Sequence, residues 1–174
     1  CIGYRNGYAL KDGFEHGIYL CGPSNYCTVS NSEFYQNGGS GIQIFSGETQ
    51  RTSTGNIATN NLCYDNGFDE TPNFGWGIVL AGFSNDAVIE NNILHDNRCH
   101  GLSIWDTAYG SVQGNTLYNN GEYLTGTIGT DGDYTSTNMS LCDINNNIYK
   151  ETSNAEPLIN WLGNVYYINT ASTY

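Results

Sequence analysis

The feature that most restricts how this chain can fold is an internal repeat of one short pattern. Each copy begins with a glycine, an aliphatic residue, a variable residue and a second aliphatic residue, and it later reaches an asparagine-rich segment. Self-similarity of this kind is the sequence signature of a solenoid, in which each repeat stacks on its neighbours. The four copies begin at Gly17, Gly41, Gly77 and Gly101, and their second segments are residues 29–37, 58–66, 89–97 and 112–120.

The spacing of the repeat glycines separates regular coils from insertions. Gly17 and Gly41 are 24 residues apart, and so are Gly77 and Gly101. The interval between Gly41 and Gly77 is 12 residues longer. Two polar inserts, residues 48–54 and 68–74, explain the excess, and we expect them to leave the coil as loops.

The apolar residues of each copy alternate with a period of two, which indicates short strands with one face turned inward. Stacked coils place equivalent residues about 4.8 Å apart, the spacing of hydrogen-bonded strands. The pattern therefore predicts an all-β parallel β-helix, and an ordinary β-sandwich would not need the same residue types at a fixed period. The predicted inward columns are Ile18/Ile42/Ile78/Leu102, Leu20/Ile44/Leu80/Ile104, Val29/Ala58/Ile89/Val112 and Phe34/Cys63/Leu94/Leu117.

Stacking also predicts ladders of identical polar or aromatic side chains. We expect Asn31, Asn60 and Asn91 to form an asparagine ladder at a bend, where stacked amides bond to each other and to the backbone. The fourth coil has Gly114 at this position, and Asn115 follows it. A second predicted ladder contains Tyr35, Tyr64, His95 and Tyr118.

Composition restricts the function classes that the chain can serve. Its 17 acidic and 5 basic residues give a formal charge of −12, which repels phosphate backbones and anionic membranes, so we expect no nucleic-acid partner. No apolar run approaches the length needed to cross a bilayer, so we expect no membrane insertion. The acidic groups suit either Ca²⁺ binding or simple solubility, and composition does not choose between them.

The cysteines and the two ends of the chain complete the domain prediction. None of the six cysteines forms a CxxC pair, so a zinc ribbon is excluded and an oxidising compartment is compatible. Cys21 and Cys27 flank a turn that could join them, or they are free. We expect one β-helix domain over residues 1–174, a fragment of a longer chain, with regular coils at 17–120 and irregular coils and a cap at 121–174.

The repeat resembles a known family. The succession Gly-Ile-x-Leu, an apolar residue, Asn-Asn, and Tyr/His-Asp-Asn before the next glycine is similar to the parallel β-helix repeat of the pectin-lyase-like superfamily. The resemblance covers residues 17–120 and continues more weakly through 144–149. It implies a right-handed coil, three strands per turn, about six to seven coils, and a secreted or cell-surface protein among polysaccharides. It also implies a ligand groove parallel to the solenoid axis, with inserted loops as walls.

Residues that could carry chemistry collect at the turn before the repeat glycine. Arg98 could neutralise a uronate carboxylate, and His95 or His100 could act as acid or base near neutral pH. Asp96 could pair with Asp65 as hydrolase carboxylates. The catalytic candidates are therefore Arg98, His100, His95 and Asp96, and each has a structural alternative as a turn or surface residue.

Aromatic residues and further acidic groups supply the binding candidates. Rings could stack on sugar faces, or they could pack under the loops and in the ladder. Calcium is a possible cofactor, although no complete calcium-binding loop is present. The predicted substrate-binding residues are Trp76, Tyr64, His16 and Trp105, and the metal candidates are Asp65, Asp131 and Asp133.

Two functions remain open at this stage. The first is an extracellular carbohydrate-active protein of the lyase, hydrolase or epimerase type, with a polysaccharide as its partner. The second is a non-catalytic structural or adhesive module, such as a surface-layer, filament or tailspike segment, with self-association through the solenoid ends.

Overall fold

The computed structural model describes a stack of short strands joined by tight turns. Side chains are described for residues 1–7, 14–47, 51–67, 74–104 and 110–121, and backbone strands are described at five later places. These residues contain strands and turns and no helix long and apolar enough to cross a bilayer. The strands are β1 (Ile2–Tyr4), β2 (Ile18–Cys21), β3 (Thr28–Ser30), β4 (Glu33–Tyr35), β5 (Ile42–Ser46), β6 (Ser53–Thr54), β7 (Ile57–Thr59), β8 (Leu62–Tyr64), β9 (Ile78–Gly82), β10 (Ser84–Asn85), β11 (Ala87–Glu90), β12 (Ile93–His95), β13 (Leu102–Ile104), β14 (Gly110–Gln113), β15 (Thr116–Tyr118), β16 (Ile128–Gly129), β17 (Cys142–Asn145), β18 (Ile148–Lys150), β19 (Ile159–Trp161) and β20 (Asn164–Tyr166).

Three long sheets run along the stack, and each regular coil adds one strand to each of them. Sheet A has the order β1-β4-β8-β12-β15-β18, sheet B has β2-β5-β9-β13-β16-β19-β20, and sheet C has β3-β7-β11-β14-β17. The pairing is parallel except between β19 and β20, and β6 pairs with β10 in a small extra sheet. The parallel β-helix with three strands per coil is confirmed.

The register of sheet B reproduces the repeat read from the sequence. Ile42 pairs with Ile18 on one side and with Ile78 on the other, and Ile78 pairs with Leu102. The predicted inward columns fill the interior. Alternate residues of a strand point to the same side, so these apolar side chains all face the interior, and their burial stabilises the coil. The fully buried members include Phe34, Ile42, Ile44, Ile78, Leu80, Ile89, Leu94, Leu102, Ile104 and Leu117.

An asparagine ladder is present, but its position differs from the prediction by one residue. Asn61 donates through Nδ2 to Oδ1 of Asn92 at 3.1 Å, and Asn92 donates in the same way to Asn115 at 2.9 Å. The predicted members Asn60 and Asn91 are exposed instead. The prediction of an Asn31–Asn60–Asn91 ladder was therefore wrong.

Backbone conformation explains the correction. Asn31, Asn60 and Asn91 have φ values of 48°, 54° and 55°, the left-handed region that asparagine tolerates better than most residues. This conformation forms the corner, points the first asparagine of each pair outward and leaves the second one to face the interior. Gly114 has a φ of 66° at the equivalent place in the fourth coil.

A second asparagine ladder lies at the next corner, and sequence analysis did not single it out. Asn37 donates to Asn66, Asn66 to Asn97, and Asn97 to Asn120, each at 2.9 Å between Nδ2 and Oδ1. These side chains are buried, and their Nδ2 atoms also donate to backbone carbonyls of the neighbouring coil, as from Asn66 to Phe34. The residue before each asparagine again has positive φ, which places the metal or catalytic candidates Asp65 and Asp96 at turn positions.

The predicted aromatic ladder is confirmed on the outer face of sheet A. Ring centroids of Tyr35 and Tyr64 are 5.0 Å apart, those of Tyr64 and His95 are 5.1 Å apart, and those of His95 and Tyr118 are 4.7 Å apart. Interplanar angles are between 3° and 6° in these three pairs. Tyr4 extends the stack above Tyr35.

The cysteines divide between the core and the surface. Cys63 is fully buried in the interior as predicted, and burial raises the pKa of its thiol. Cys21 and Cys27 carry no disulfide, so the alternative in which they are free is the one observed.

The division into regular coils at 17–120 and an irregular part at 121–174 stays a prediction.

Candidate functional site

The residues on the outer face of sheet B differ from coil to coil. Its outward central column consists of Tyr19, Gln43, Val79 and Ser103, paired in that order across β2, β5, β9 and β13. Tyr19 is 44% exposed, whereas Val79 and Ser103 are buried. The face is therefore open at its first two strands and covered at the next two.

His16 lies at the open end of this face, and one hydrogen bond determines which of its ring nitrogens carries the proton. Its Nδ1 atom accepts from the backbone N–H of Ser40 at 2.9 Å, so the neutral ring carries its proton on Nε2. Burial lowers the pKa of His16 to about 4. At neutral pH His16 is therefore an uncharged hydrogen-bond donor rather than a cation.

Tyr19 and Gln43 adjoin His16, and sequence analysis missed both of them. The rings of His16 and Tyr19 meet edge to face at 5.4 Å. Burial, followed by the nearby Cys21, raises the pKa of Tyr19, and a hydrogen bond from Gln43 opposes that effect. Both residues occupy the variable place between the two inward aliphatics of their repeat, and that position was the signal that could have identified them.

An aromatic cluster borders the open face. Phe74, the last residue of the second insert, contacts Trp76 at 5.6 Å and Phe14 at 5.3 Å between ring centroids. Trp76 is only 4% exposed, and it packs in a small apolar cluster with Val79, Ala81 and Cys99. Trp76 is therefore packed under its neighbours, which was the predicted alternative to stacking on a sugar. The exposed aromatic ring of this cluster is that of Phe14, which is 67% exposed.

The residues directly before the repeat glycines lie in register, as expected for equivalent positions of stacked coils. Gly17 N–H donates to the carbonyl of Ser40, Gly41 N–H to that of Trp76, and Gly77 N–H to that of His100. His16, Ser40, Trp76 and His100 therefore form one row along the axis. Ser40 separates His16 from Trp76, and His100 is buried with 7% of its surface exposed.

Arg98 lies at the base of the insert that spans residues 68–74. Its backbone N–H donates to the carbonyl of Asn66 at 3.0 Å, and its Nη1 atom reaches the carbonyl of Gly67 at 3.4 Å. Cys99 N–H donates to the carbonyl of Gly75 on the other side of the insert. The two ends of the insert therefore border the turn that carries Arg98 and His100.

The other two catalytic candidates lie on a different sheet. His95 is in the aromatic stack of sheet A, and its Nδ1 atom is 2.6 Å from Oδ2 of Asp96. Asn97, whose side chain is in the interior ladder, separates this pair from Arg98. The structure thus brings Arg98 and His100 together at one turn and leaves His95 and Asp96 on the neighbouring face.

Tyr64 has no ring face open to a sugar. Tyr35 and His95 cover its two faces, and its hydroxyl donates to Oε1 of Glu33 at 2.8 Å. Burial and the Glu33 carboxylate raise the pKa of Tyr64 to about 12. The stacking role predicted for Tyr64 is therefore corrected to a structural one in the ladder.

The metal candidates gain no support from the geometry. Within the described ranges, no group of three or more His, Cys, Asp or Glu side chains is arranged to hold a metal ion. Asp65 is an exposed turn residue with a φ of 51°. Asp131, Asp133 and the binding candidate Trp105 lie outside the described residues.

Comparison with known proteins identifies the family. The family model described as the right-handed β-helix region matches residues 10–154, so the chain belongs to that family and the predicted handedness is confirmed. The A-module of the mannuronan C-5 epimerase AlgE6 from Azotobacter vinelandii aligns with 15% identity and a TM-score of 0.48. The alignment covers 88% of this chain and 45% of that module, so the chain spans less than half of the module's length. The curated protein sequences contain no significant match.

Proposed function

We propose that this right-handed β-helix is a secreted or cell-surface protein that binds a polysaccharide along the outer face of sheet B and acts on it. The observation that carries the proposal is the group formed by Tyr19, His16 and Gln43. It combines an exposed aromatic ring, a fixed neutral N–H donor and an amide on one open strand face. A few oriented polar groups beside apolar surface are typical of small-ligand and sugar sites.

Each member has a distinct part in this proposal. The Tyr19 ring supplies apolar surface for the C–H face of a sugar, and Nε2 of His16 donates to a hydroxyl. The Gln43 amide both donates and accepts, which matches the mixed character of hydroxyl groups. Phe14 borders the binding face. Phe74 packs against Phe14, and Trp76 packs against Phe74.

The reaction proposed at this face uses the turn that lies three coils further along the axis from His16 and Tyr19. Arg98 would hold a uronate carboxylate and so acidify the neighbouring C–H, and His100 would take up the proton. His95 and Asp96 lie on the adjoining face and are kept as candidates for a carboxylate-assisted hydrolysis. Lyase and epimerase chemistry both begin with this proton abstraction, which a lyase completes by expelling the glycosidic oxygen and an epimerase by returning a proton to the other face of the ring. Hydrolysis would instead begin with a carboxylic acid that protonates the glycosidic oxygen, and water would attack the sugar.

The test is a binding comparison with matched aromatic variants. Immobilised uronate and neutral polysaccharides are presented to the chain and to the Tyr19→Ala and Tyr26→Ala variants, and absorbance at the wavelength of unsaturated uronates is followed in parallel. Tyr26 is 79% exposed and lies outside sheet B. We expect Tyr19→Ala to weaken binding by tenfold or more and Tyr26→Ala to leave it unchanged. Equal effects of the two variants would exclude the sheet B face.

A second candidate function is a non-catalytic structural or adhesive module. The observation that favours it is the position of His95, which is in a strand of sheet A and is held in a stack between two tyrosines, whereas Arg98 and His100 lie in the turn before β13. This function predicts neither binding nor turnover in the assay above, and it uses self-association through the solenoid ends. Light scattering of the chain over a concentration series measures that association directly.

A further inference from the structure

An open groove follows the corner between sheets C and A, the corner that does not border sheet B. Its volume is about 620 Å³, within the range of roughly 300–1,000 Å³ that is usual for ligand sites. It crosses the turns that join β3 to β4, β7 to β8 and β11 to β12. The lining residues include Ile2, Asn31, Ser32, Glu33, Asn60, Asn61, Leu62, Asn91 and Ile93.

Three exposed asparagines form the edge of this groove, and backbone geometry alone does not account for them. They adopt positive φ, which asparagine tolerates. The other corner of the same coils uses positive φ with a mixed set of residues instead. That set is Arg5, Gln36, Asp65, Asp96 and Asn119. The turn therefore accepts many side chains, and the repetition of asparagine at the groove requires a reason beyond the turn.

Glycine ends the row at the fourth coil. Gly114 occupies the position equivalent to Asn91, and a Cβ atom there would lie 2.6 Å from Oδ1 of Asn91. The Asn91 amide thus extends over Gly114. The chain itself shows that the turn forms without any side chain, so the turn does not need the amides of Asn31, Asn60 and Asn91. The Asn60 Nδ2 atom donates to Oγ1 of Thr59 at 3.0 Å and keeps a second N–H and its carbonyl oxygen for a ligand.

The rest of the lining is aliphatic and nearly uncharged. Ile93 is 44% exposed and pairs with Leu62 in the outward column of sheet A next to the amides. Glu33 pairs with Leu62 on its other side, and Ile2, which is 63% exposed, lies beyond Glu33. Among the lining residues, which all belong to the described part of the chain, Glu33 has the only charged side chain, and it accepts from the Tyr64 hydroxyl. The N-terminal ammonium group of Cys1 also lies at the groove, where it donates to Oγ of Ser32 at 3.0 Å. The lining contains no arginine or lysine to neutralise an acidic sugar.

We propose that this groove is a second glycan site, which takes an extended, neutral, β-linked polysaccharide lying parallel to the solenoid axis. Amides repeated at the strand spacing of about 4.8 Å donate to and accept from successive hydroxyls. The aliphatic strip of Leu62 and Ile93 covers the C–H faces of the sugar rings. The net charge of −12 repels acidic chains here, where no arginine or lysine opposes it.

The experiment uses isothermal titration of the whole chain with cellohexaose as the neutral probe and an oligogalacturonate as the charged comparison. The test variant is Asn60→Gly/Asn91→Gly, which removes two amides and keeps a residue suited to positive φ. The matched control is Asn119→Gly, an exposed asparagine with a φ of 53° at the other corner. Melting temperatures are recorded for all proteins.

We expect cellohexaose to bind the parent chain and the Asn119→Gly control alike, with at least tenfold weaker binding to the double variant, about 1.4 kcal/mol. Oligogalacturonate should not compete for the groove. Absence of cellohexaose binding to the parent chain, or equal binding to the double variant, would overturn the inference. Oligogalacturonate binding, measured in the same titrations, should be unchanged in the double variant, so failure here is distinguishable from failure of the sheet B proposal.

Discussion

Asn91 and Asn92 are adjacent in sequence but have different physical roles. Asn91 is exposed at a positive-φ corner, and Asn92 is buried in the ladder. The Oδ1 atom of Asn92 accepts from both N–H groups of Asn61, and its Nδ2 atom donates to Ala58 and Asn115. Removing the amide would leave several buried polar groups without partners, which is costly in the protein interior.

We expect Asn92→Ala to lower the free energy of unfolding by about 3 kcal/mol, because its buried partners lose their hydrogen bonds. Asn91→Gly should change it by less than about 1 kcal/mol, because glycine suits the same φ. Urea denaturation of both variants measures the difference. A larger loss for the Asn91 variant would contradict the corrected register of the ladder.

His16 is a residue whose burial has a consequence for pH. Its pKa is about 4 in the folded chain and 6.5 in the unfolded one. As pH falls below about 6.5, the unfolded chain takes up the proton before the folded chain does. The contribution of neutral His16 to the free energy of unfolding is therefore fully present above about pH 6.5 and is lost as pH falls toward 4. The slope is at most about 1.4 kcal/mol per pH unit.

We therefore expect the unfolding free energy to decrease between pH 7 and pH 4.5, and to decrease less steeply in a His16→Gln variant. Glutamine keeps an acceptor for the Ser40 N–H but has no proton to gain in this range. Denaturant titrations at a series of pH values give both slopes. Identical slopes would show that His16 is not buried as described.

At the scale of elements, the aromatic stack connects five strands of sheet A on the outer surface, and the asparagine ladders connect the same coils in the interior. Tyr64 contributes two ring contacts and one hydrogen bond to Glu33. Cross-strand aromatic pairs each add a fraction of a kcal/mol to about 1.5 kcal/mol. The stack is therefore a stabilising element of the solenoid surface.

We expect Tyr64→Ala to lower the free energy of unfolding by about 2 kcal/mol, through the loss of both ring contacts. Tyr64→Phe keeps the stack and loses only the hydroxyl, so its effect should be about 1 kcal/mol or less. Thermal or urea unfolding distinguishes the two. Equal destabilisation of the two variants would show that the hydrogen bond to Glu33, and not the stacking of the rings, is the stabilising contact of Tyr64.

At the scale of the whole molecule, the proposed polysaccharide site depends on segments that are distant in sequence. Tyr19 and His16 belong to the first coil of sheet B, whereas Arg98 and His100 follow about 80 residues later. Parallel stacking places their strands in one sheet. A ligand that reaches both regions would therefore lie along the axis and cross several coils.

We expect Arg98→Ala to lower polysaccharide binding or turnover by tenfold or more, about 1.4 kcal/mol, with a nearly unchanged melting temperature. The physical reason is the loss of the cation proposed to hold a uronate carboxylate. Arg98→Lys should retain part of the effect. A lower melting temperature with unchanged glycan binding would instead assign Arg98 to the support of the Gly67 turn.

The sequence by itself determined the solenoid, its inward columns and its aromatic ladder. Ile42 and Ile78, for example, recur with one period and one alternation, and only stacked parallel strands bury both with their equivalents. The row of residues before the repeat glycines followed from the same period. These features depend on a local pattern of residues that recurs in every coil.

Only the tertiary structure decided which of two neighbouring asparagines faces the interior and which aromatic rings are open. An Asn-Asn pair fits the ladder in two registers, and the positive φ of the corner selects one of them. Trp76 is covered because Phe74 and neighbouring coils pack on it, and Tyr19 is exposed because its face of β2 is uncovered. Exposure depends on what lies in adjacent coils, and a one-dimensional repeat does not contain that information.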